Sequence, residues 1–224
     1  MQHFTPHPYQ QAAIDAIIDK PSVGLWMEMG LGKTVVTLTA IDTLIYDAAE
    51  IRRVLVVAPK KVAEATWQDE AQKWDHLQHL RISTVLGTEA QRIAALNTPA
   101  DVYIINRENC YWLVGHYGRH WPFDMVVLDE ASSFKNHAAQ RFKALKAVRP
   151  KIAKVVELTG TPAPNNLLDL WAQIYLLDQG ERLGKYVTHY RQAYFWPTEY
   201  SWEAKDGAGD AIRRKISDLV LSFK

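Results

Sequence analysis

The chain has 224 residues, of which 48% are hydrophobic and 23% charged, a composition typical of one large globular domain or two small ones. The formal net charge is only +1, which excludes a global basic field, so nucleic acid would have to be bound by a local patch. The single cysteine, Cys110, excludes an internal disulfide, and neither a signal peptide nor an apolar run of roughly 18 residues for a membrane span is found.

Strand-like and helix-like segments alternate along the chain. In chain order, the predicted strands are SVGLWM, RRVLVVAP, RISTVL, DVYIIN, DMVVLDE and KIAKVVELTG. The predicted helices cover residues 13–18, TVVTLTAIDTLI, the segment of Trp67 and Trp74, TEAQRIAAL, AAQRFKALKAV and NLLDLWAQIYLL. Val/Ile-rich strands alternating with helices predict an α/β fold, with a mostly parallel twisted sheet and helices on both faces. In such sheets, ligands bind beyond the carboxyl ends of the strands.

The pattern loosens after residue 178. We expect residues 1–178 to form the main domain and residues 179–224 to form a small, mostly helical C-terminal appendage to it. Within the appendage, GKYVTHYRQAYF predicts a helix, WPTEYSWEAKDGAG a turn or hairpin, and DAIRRKISDLVLSF a final amphipathic helix.

The stretch WMEMGLGKTVV joins the first strand to a helix and ends like a phosphate-binding loop. Gly30 and Gly32 allow the chain to turn tightly, Lys33 would reach the β- and γ-phosphates, and the Thr34 hydroxyl would bind Mg²⁺. The usual loop has a glycine where this chain has Met27, which we interpret as the end of the preceding strand. The residues predicted to contact a nucleotide here are Met29, Gly30, Leu31, Gly32, Lys33, Thr34 and Val35.

Two carboxylates, Asp129 and Glu130, end the predicted strand of VVLDEAS. In nucleotide hydrolysis, the first such carboxylate holds Mg²⁺ and the second orients or deprotonates the attacking water. A solvated acidic turn is the alternative for an isolated pair of this kind. A hydrophobic strand before the pair, in a chain that already has Lys33 and Thr34, favours the catalytic interpretation.

Polar residues beside other predicted elements extend the candidate site. The hydroxyls of Thr159 and Thr161, around Gly160, can relay a signal from the γ-phosphate to a second binding surface. Taken alone, the segment fits a plain Gly-Pro turn better. Tyr9 and Gln10 precede the first helix, and an amide such as that of Gln10 can pair with both edges of adenine. A surface glutamine is the alternative.

Basic residues follow several strands at the same predicted edge of the sheet. Lys60 and Lys61 follow the second strand, Arg107 the fourth, and Lys135 the acidic pair. Each one alone fits a solvated surface, whereas together they would form a groove for nucleic-acid phosphates. The eight histidines show no metal-binding spacing.

Taken in order, these segments resemble the first RecA-like lobe of superfamily-two helicases, and within it the Swi/Snf-type ATPases that translocate on double-stranded DNA. PYQ resembles the Q motif, EMGLGKT the phosphate loop, and VLVVAPKKVAEATWQDEAQKW motif Ia, with its pattern on Pro59, Trp67 and Glu70. VLDEASSFKN resembles the DEAH-x-x-K-N segment, and LTGTPAPNNLLDLWAQIYLL resembles motif III. The resemblance covers roughly residues 5 to 178.

The resemblance implies ATP and Mg²⁺ as cofactors and duplex DNA as partner. It implies a role in adenine contact for Gln10, in catalysis for Lys33, Asp129 and Glu130, and in metal binding for Thr34 with Asp129. The residues implied in nucleic-acid contact or coupling are Lys60, Lys61, Arg107, Ser132, Lys135, Asn136, Thr159, Gly160 and Thr161.

Three residues depart from the family pattern. Ser132 replaces a histidine, so it keeps a hydrogen bond but cannot become cationic. Asp169 replaces a glutamate of motif III, and Met27 replaces an aspartate.

The family also has a second RecA-like lobe with arginine fingers, worth about 10³ to 10⁵ in rate, which we expect C-terminal to Lys224. This chain alone would then hydrolyse ATP weakly, as a monomer in the cytoplasm of a bacterial or phage-infected cell, or in the nucleus of a eukaryote. Two alternatives remain at this point: a stand-alone, ATP-responsive nucleic-acid-binding module, and an RNA helicase lobe.

Overall fold

The computed structural model describes residues 2–160 and 167–223. The helices are α1 (Pro8–Asp19), α2 (Lys33–Asp42), α3 (Trp67–Lys73), α4 (Glu89–Asn97), α5 (Cys110–Tyr117), α6 (Gln140–Val148), α7 (Leu167–Asp178), α8 (Val187–Tyr194) and α9 (Ala208–Ile216). The strands are β1 (Ser22–Met27), β2 (Val54–Ala58), β3 (Ile82–Val85), β4 (Val102–Asn106), β5 (Met125–Asp129), β6 (Lys154–Thr159), β7 (Phe195–Pro197), β8 (Trp202–Ala204) and β9 (Val220–Phe223). Within these ranges, no helix has both the length and the apolar character needed to cross a bilayer.

Seven of the strands form one sheet in the order β3-β4-β2-β5-β6-β1-β9, and every neighbouring pair in it is parallel. Parallel strands need crossover connections, which the helices between them supply. The predicted α/β class, with a parallel sheet and helices on both faces, is confirmed. All carboxyl ends of the strands consequently lie at one edge of this sheet.

The sheet separates two hydrophobic cores because successive side chains of a strand point to opposite faces. In β2, Leu55 and Val57 pack in one core with residues of α5, α6 and α7. Val54 and Val56 pack in the other core with residues of α1, α2 and α3. Burial on both faces explains why the strands are continuous apolar runs without polar alternation.

Two buried cations donate hydrogen bonds to the last carbonyls of two helices at the edge of the sheet where the strands begin. The Arg149 guanidinium donates hydrogen bonds to the carbonyls of Leu176 and Leu177, at the end of α7. Lys154 Nζ donates to the carbonyls of Ile17 and Ile18 at 2.9 and 2.8 Å, at the end of α1. The last carbonyls of a helix lack partners within the helix, so these cations fix α1 and α7 against the sheet.

The tail differs from its prediction at its last element. The predicted helix of α8 and the hairpin, now β7 and β8, are both present. The predicted helix of DAIRRKISDLVLSF, however, ends at Ile216, and residues 220–223 form β9, which pairs with β1. Ile212 and Ile216 of α9 join the same core as α7. The last residues therefore complete the main sheet instead of extending a helix.

One acidic side chain, Glu157 of β6, lies in the core. It is 2% exposed, and its Oε1 has no hydrogen-bond partner among the described residues. Burial raises the pKa of this carboxyl well above its usual value, although the charge of Arg149 opposes the shift. The carboxyl of Glu157 is therefore harder to ionise in the folded protein than in the unfolded chain, where a glutamate has a pKa of about 4.3.

Replacing Glu157 with leucine should stabilise the fold, and more so at high pH. A raised pKa in the folded state costs stability that grows as pH rises above the unfolded value, so Glu157→Leu should add about 1–3 kcal/mol at pH 8 and less at pH 5. Urea unfolding at both pH values measures this difference. Glu181→Leu, at an exposed position, is the control. An equal gain at both pH values would contradict a raised pKa of Glu157 in the folded protein.

Candidate nucleotide-binding site

Three adjacent strands carry the candidate loops to one edge of the sheet. β6 lies between β5 and β1, with Trp26 beside Thr159 and Asp129 beside Leu158 in the register. The phosphate-loop candidate follows β1, the acidic pair ends β5, and Gly160 follows β6. Segments that are far apart in sequence are thus neighbours where ligands of parallel sheets bind.

The loop between β1 and α2 has the turn that its glycines predict. Gly30 and Gly32 have φ angles of +87° and +81°, a left-handed conformation that side chains other than glycine rarely adopt. Helix α2 begins directly at Lys33. The first N–H groups of a helix lack internal partners, so this loop and helix present backbone donors suited to an anion. Met27 is fully buried at the end of β1, in agreement with its interpretation as a strand residue.

The ammonium group of Lys33 lies against its own loop. Its Nζ donates hydrogen bonds to the carbonyls of Met27 and Glu28, at 2.9 and 3.1 Å. Burial lowers the pKa of Lys33, while the charges of Glu130 and Asp129 act in the opposite direction. The amine thus lies against the loop and feels the charge of the acidic pair, and a phosphate could replace the two carbonyls as its acceptor.

Gly160 brings the end of β6 next to this lysine. A Cβ built on Gly160 would lie 3.3 Å from Cγ of Met29 and 3.8 Å from Lys33 Nζ, so a larger residue would crowd the loop. Thr159 is buried at the end of β6. The predicted coupling residue Thr161 lies outside the described residues.

The acidic pair combines a buried and a strained residue. Asp129 is 8% exposed and accepts a hydrogen bond on Oδ2 from the indole N–H of Trp67, at 2.9 Å. Burial raises the pKa of Asp129, and the charge of Glu130 acts in the same direction. The hydrogen bond from Trp67 and the charge of Lys33 act in the opposite direction. Glu130 itself has a φ of +57° and a ψ of +58°. Non-glycine residues in this left-handed region concentrate at functional sites.

The side chain of Gln10 is buried against the phosphate loop instead of lying on the surface. Its Nε2 donates to the carbonyl of Leu31 at 3.2 Å, and its Oε1 accepts from the backbone N–H of His7 at 2.9 Å. The Tyr9 hydroxyl also reaches the carbonyl of Leu31, at 3.5 Å. An amide has two donors and two acceptor positions, so Gln10 retains one of each for a ligand.

A cleft of about 570 Å³ opens between the loop, the N-terminal segment and α3. The N-terminal segment is held there because Gln2 pairs with Trp74, and the ring of Phe4 meets that of Trp74 at 5.2 Å. The lining includes Thr34 and Val35. A cleft of this size suits a small molecule.

The basic residues of the expected groove are mostly paired. Lys60 forms an ion pair with Glu64 at 3.9 Å, Arg107 with Glu108 at 2.9 Å, and Lys135 with Asp169 at 3.3 Å. Lys61 and Asn136 are exposed, and Ser132 is half-buried in the turn after Glu130. Phosphate contact by Lys60, Arg107 and Lys135 would therefore exchange one anionic partner for another, and the groove stays a prediction.

Sequence reasoning missed two features of this site. Trp67 was assigned to a helix face, but its contact with Asp129 was not foreseen, although Trp67 is part of the motif Ia pattern. No role was predicted for the residues before Tyr9, yet His3, Phe4, Thr5 and His7 line the cleft. In the part of the chain that the structure describes, no group of three or more His, Cys, Asp or Glu side chains is placed to hold a metal alone.

The fold is that of a RecA-like α/β lobe, and comparison with known proteins gives its family. The family model described as SNF2-related domain matches residues 19–217, so the chain belongs to this family. It is similar in structure to the SWI2/SNF2 ATPase core of Sulfolobus solfataricus in complex with dsDNA, with a TM-score of 0.78 at 22% identity. That match covers 100% of this chain and 47% of the other. The Swi/Snf resemblance is thereby confirmed.

Curated relatives are longer than this chain. Putative protein p41 of Acyrthosiphon pisum secondary endosymbiont phage 1 is 41% identical over 235 residues, which cover 100% of this chain and 51% of that protein. Helicase SWR1 of Mycosarcoma maydis is 33% identical over 180 residues, 76% of this chain and 10% of that protein. The DNA excision repair protein ERCC-6-like of Mus musculus is 29% identical over 205 residues, which cover 88% of this chain and 16% of that protein. The chain spans about half the length of the phage relative.

Substitution of the two loop glycines should separate backbone strain from crowding. A Cβ on Gly32 would lie 2.7 Å from Gln10 Nε2, whereas a Cβ on Gly30 meets nothing within 4 Å. Gly30→Ala should cost about 1–2 kcal/mol of unfolding free energy from its left-handed backbone. Gly32→Ala should cost about 1 kcal/mol more, because the amide of Gln10 must leave Leu31. Urea unfolding measures both.

A double-mutant cycle provides the control for this prediction. In a Gln10→Ala background, the excess cost of Gly32→Ala over Gly30→Ala should shrink to the small part caused by Val35 Cγ1, which lies 3.3 Å from the same Cβ. Equal costs for the two glycines in the unsubstituted protein would contradict the contact between Gln10 and the loop.

Proposed function

We propose that this chain is the ATP-binding lobe of a DNA-dependent ATPase that translocates on double-stranded DNA. The observation that carries the proposal is the meeting of three loops at the sheet edge, where Lys33 lies beside Gly160 and the charges of Asp129 and Glu130. Membership of the SNF2-related domain family supports ATP hydrolysis as the type of reaction.

The loop fits a polyphosphate in both shape and charge. Gly160 keeps the space beside Lys33 Nζ free of a side chain, because a Cβ there would lie 3.8 Å from that nitrogen. Gly30 and Gly32 supply the left-handed turn of the loop. In the proposed complex, Lys33 exchanges the carbonyls of Met27 and Glu28 for the β- and γ-phosphates. Gln10 uses its remaining donor and acceptor to contact adenine, with Tyr9 beside it.

The donor set near the loop fits a magnesium ion. A hydroxyl from Thr34 and a carboxylate from Asp129 are oxygen ligands, which Mg²⁺ prefers. When bound with ATP, the ion would neutralise phosphate charge that develops during transfer. Asp129 holds its position through Trp67, and Glu130 is proposed to orient the attacking water and accept its proton.

Duplex DNA is proposed as the polymer that stimulates this reaction. The structural relative from Sulfolobus solfataricus was solved with dsDNA, and curated relatives are named as a helicase and a DNA excision repair protein. In this chain, Lys60, Lys61, Arg107, Ser132, Lys135 and Asn136 are proposed to face the DNA. Thr159, Gly160 and Thr161 would couple DNA contact to the phosphate.

A second RecA-like lobe is proposed to complete the site, and we expect it outside these 224 residues. An arginine supplied by such a lobe would stabilise the charge of the transition state and is worth about 10³ to 10⁵ in rate. The lobe described here is then sufficient to bind ATP but hydrolyses it only weakly.

Removing the Lys33 ammonium should abolish most nucleotide binding. A charge-assisted hydrogen bond contributes about 1.5–3 kcal/mol, so Lys33→Ala should weaken ATP binding at least about 10-fold in calorimetry. Lys151→Ala is the control, since Lys151 is exposed and its Nζ contacts the carbonyl of Arg119, outside the nucleotide cleft. Unchanged ATP affinity in Lys33→Ala would show that the loop does not bind phosphate.

Turnover of the isolated chain tests the role of the second lobe. We expect ATP hydrolysis close to the background rate, with little change on addition of duplex DNA, because the arginine is proposed to come from a lobe outside these 224 residues. The measurement is phosphate release with duplex DNA, RNA or no nucleic acid. Brisk turnover stimulated by duplex DNA would contradict the need for a second lobe, and stimulation by RNA alone would favour an RNA helicase.

A further inference from the structure

The contact between Trp67 and Asp129 joins a completely buried aromatic side chain to a catalytic-site carboxylate. Trp67 is the first residue of α3, and none of its surface is exposed. Its indole N–H donates to Asp129 Oδ2 at 2.9 Å, across 62 residues of sequence. An indole N–H can only donate, and here it donates to one oxygen of the carboxylate.

A neutral donor is well suited to a carboxylate that must bind a cation. Lysine or arginine at this position would hold Asp129 equally well, but their positive charge would compete with Mg²⁺. The indole is uncharged, so it does not offset the negative charge of Asp129, and it occupies only Oδ2. The other oxygen, Oδ1, takes no part in this bond.

The packing around Trp67 makes this donor rigid. Trp67 lies in the core that also contains Leu38 and Ile41 of α2, the helix that begins at the phosphate loop. A bulky side chain in such a core keeps one rotamer, because closely packed neighbours leave no room for another. The position of the indole N–H is thus set by the same core that supports Lys33 and Thr34.

We propose that Trp67 is a positioning residue for the metal site: it orients Asp129 so that Oδ1 faces the magnesium ion that accompanies the nucleotide. This inference rests on the proposed function, since it assumes that Asp129 is a metal ligand. Partners that orient metal ligands in this way typically contribute 10- to 100-fold in metal affinity. Metal-free nucleotide binding depends on the loop and should not need Trp67.

The experiment separates nucleotide affinity from metal affinity. Mn²⁺ replaces Mg²⁺ as a paramagnetic probe, and its binding to the ADP-loaded protein is followed by electron paramagnetic resonance. ADP affinity without metal is measured by calorimetry in EDTA. Trp67→Phe keeps an aromatic ring in the core but removes the N–H donor. We expect about 10-fold weaker Mn²⁺ binding, with metal-free ADP affinity changed less than twofold.

A matched control comes from another buried tryptophan. Trp171 is 3% exposed, and its indole N–H donates to the carbonyl of Gly184, also at 2.9 Å. Trp171→Phe removes an equivalent bond away from the nucleotide cleft. It should lower the urea midpoint to a similar extent as Trp67→Phe and leave Mn²⁺ affinity unchanged. Equal losses of Mn²⁺ affinity in both variants would overturn the proposal.

Two further variants distinguish a failure of this inference from a failure of the proposed function. If Asp129→Asn weakens Mn²⁺ binding but Trp67→Phe does not, the metal site exists and the role of Trp67 is wrong. If Asp129→Asn has no effect, the proposed metal site is wrong, and the role of Trp67 falls with it. Should Trp67→Phe not fold, benzothienylalanine at position 67, which has sulfur in place of the N–H, tests the same bond.

Discussion

The hydrogen-bond ladders that β6 makes with β1 and β5 are the constraint on which the candidate site depends. Each ladder is parallel, so all three strands end at the same edge, and the register sets Thr159 beside Trp26. The phosphate loop, Gly160 and the acidic pair are then neighbours at that edge. A shift of one residue in either ladder would turn the end residues to the opposite face of the sheet.

Polar side chains buried around these ladders hold the surrounding segments in place. Lys154 fixes the end of α1, so that Gln10, near the start of the same helix, reaches the loop at Leu31. Trp67 links α3 to Asp129. Each contact is formed by a buried group that would be costly to leave unpaired, which makes the arrangement specific. Glu157 is the exception, since its Oε1 lacks a partner among the described residues.

Much of the fold was predictable because parallel strands that are buried on both faces are apolar runs in the sequence, separated by helices. The loop around Lys33 and the acidic pair at Asp129 were predictable because each directly follows one of these apolar runs in the sequence. The strand β9 was not, since LVLSF continues the apolar pattern of α9 and only pairing with β1 decides its conformation. Helix α5 was not predicted, because CYWLVGHY has no one-sided apolar stripe. Contacts such as those of Gln10 and Trp67 depend on distant residues that no local pattern contains.

The position of β1 in the sheet also bears on how the protein folds. Both of its neighbours come from far along the chain, β6 at residues 154–159 and β9 at residues 220–223. Pairing over such separations must close long loops, which slows folding relative to local contacts. During synthesis, β1 leaves the ribosome long before either partner exists. The strand that carries the phosphate loop is thus made well before the two strands that flank it.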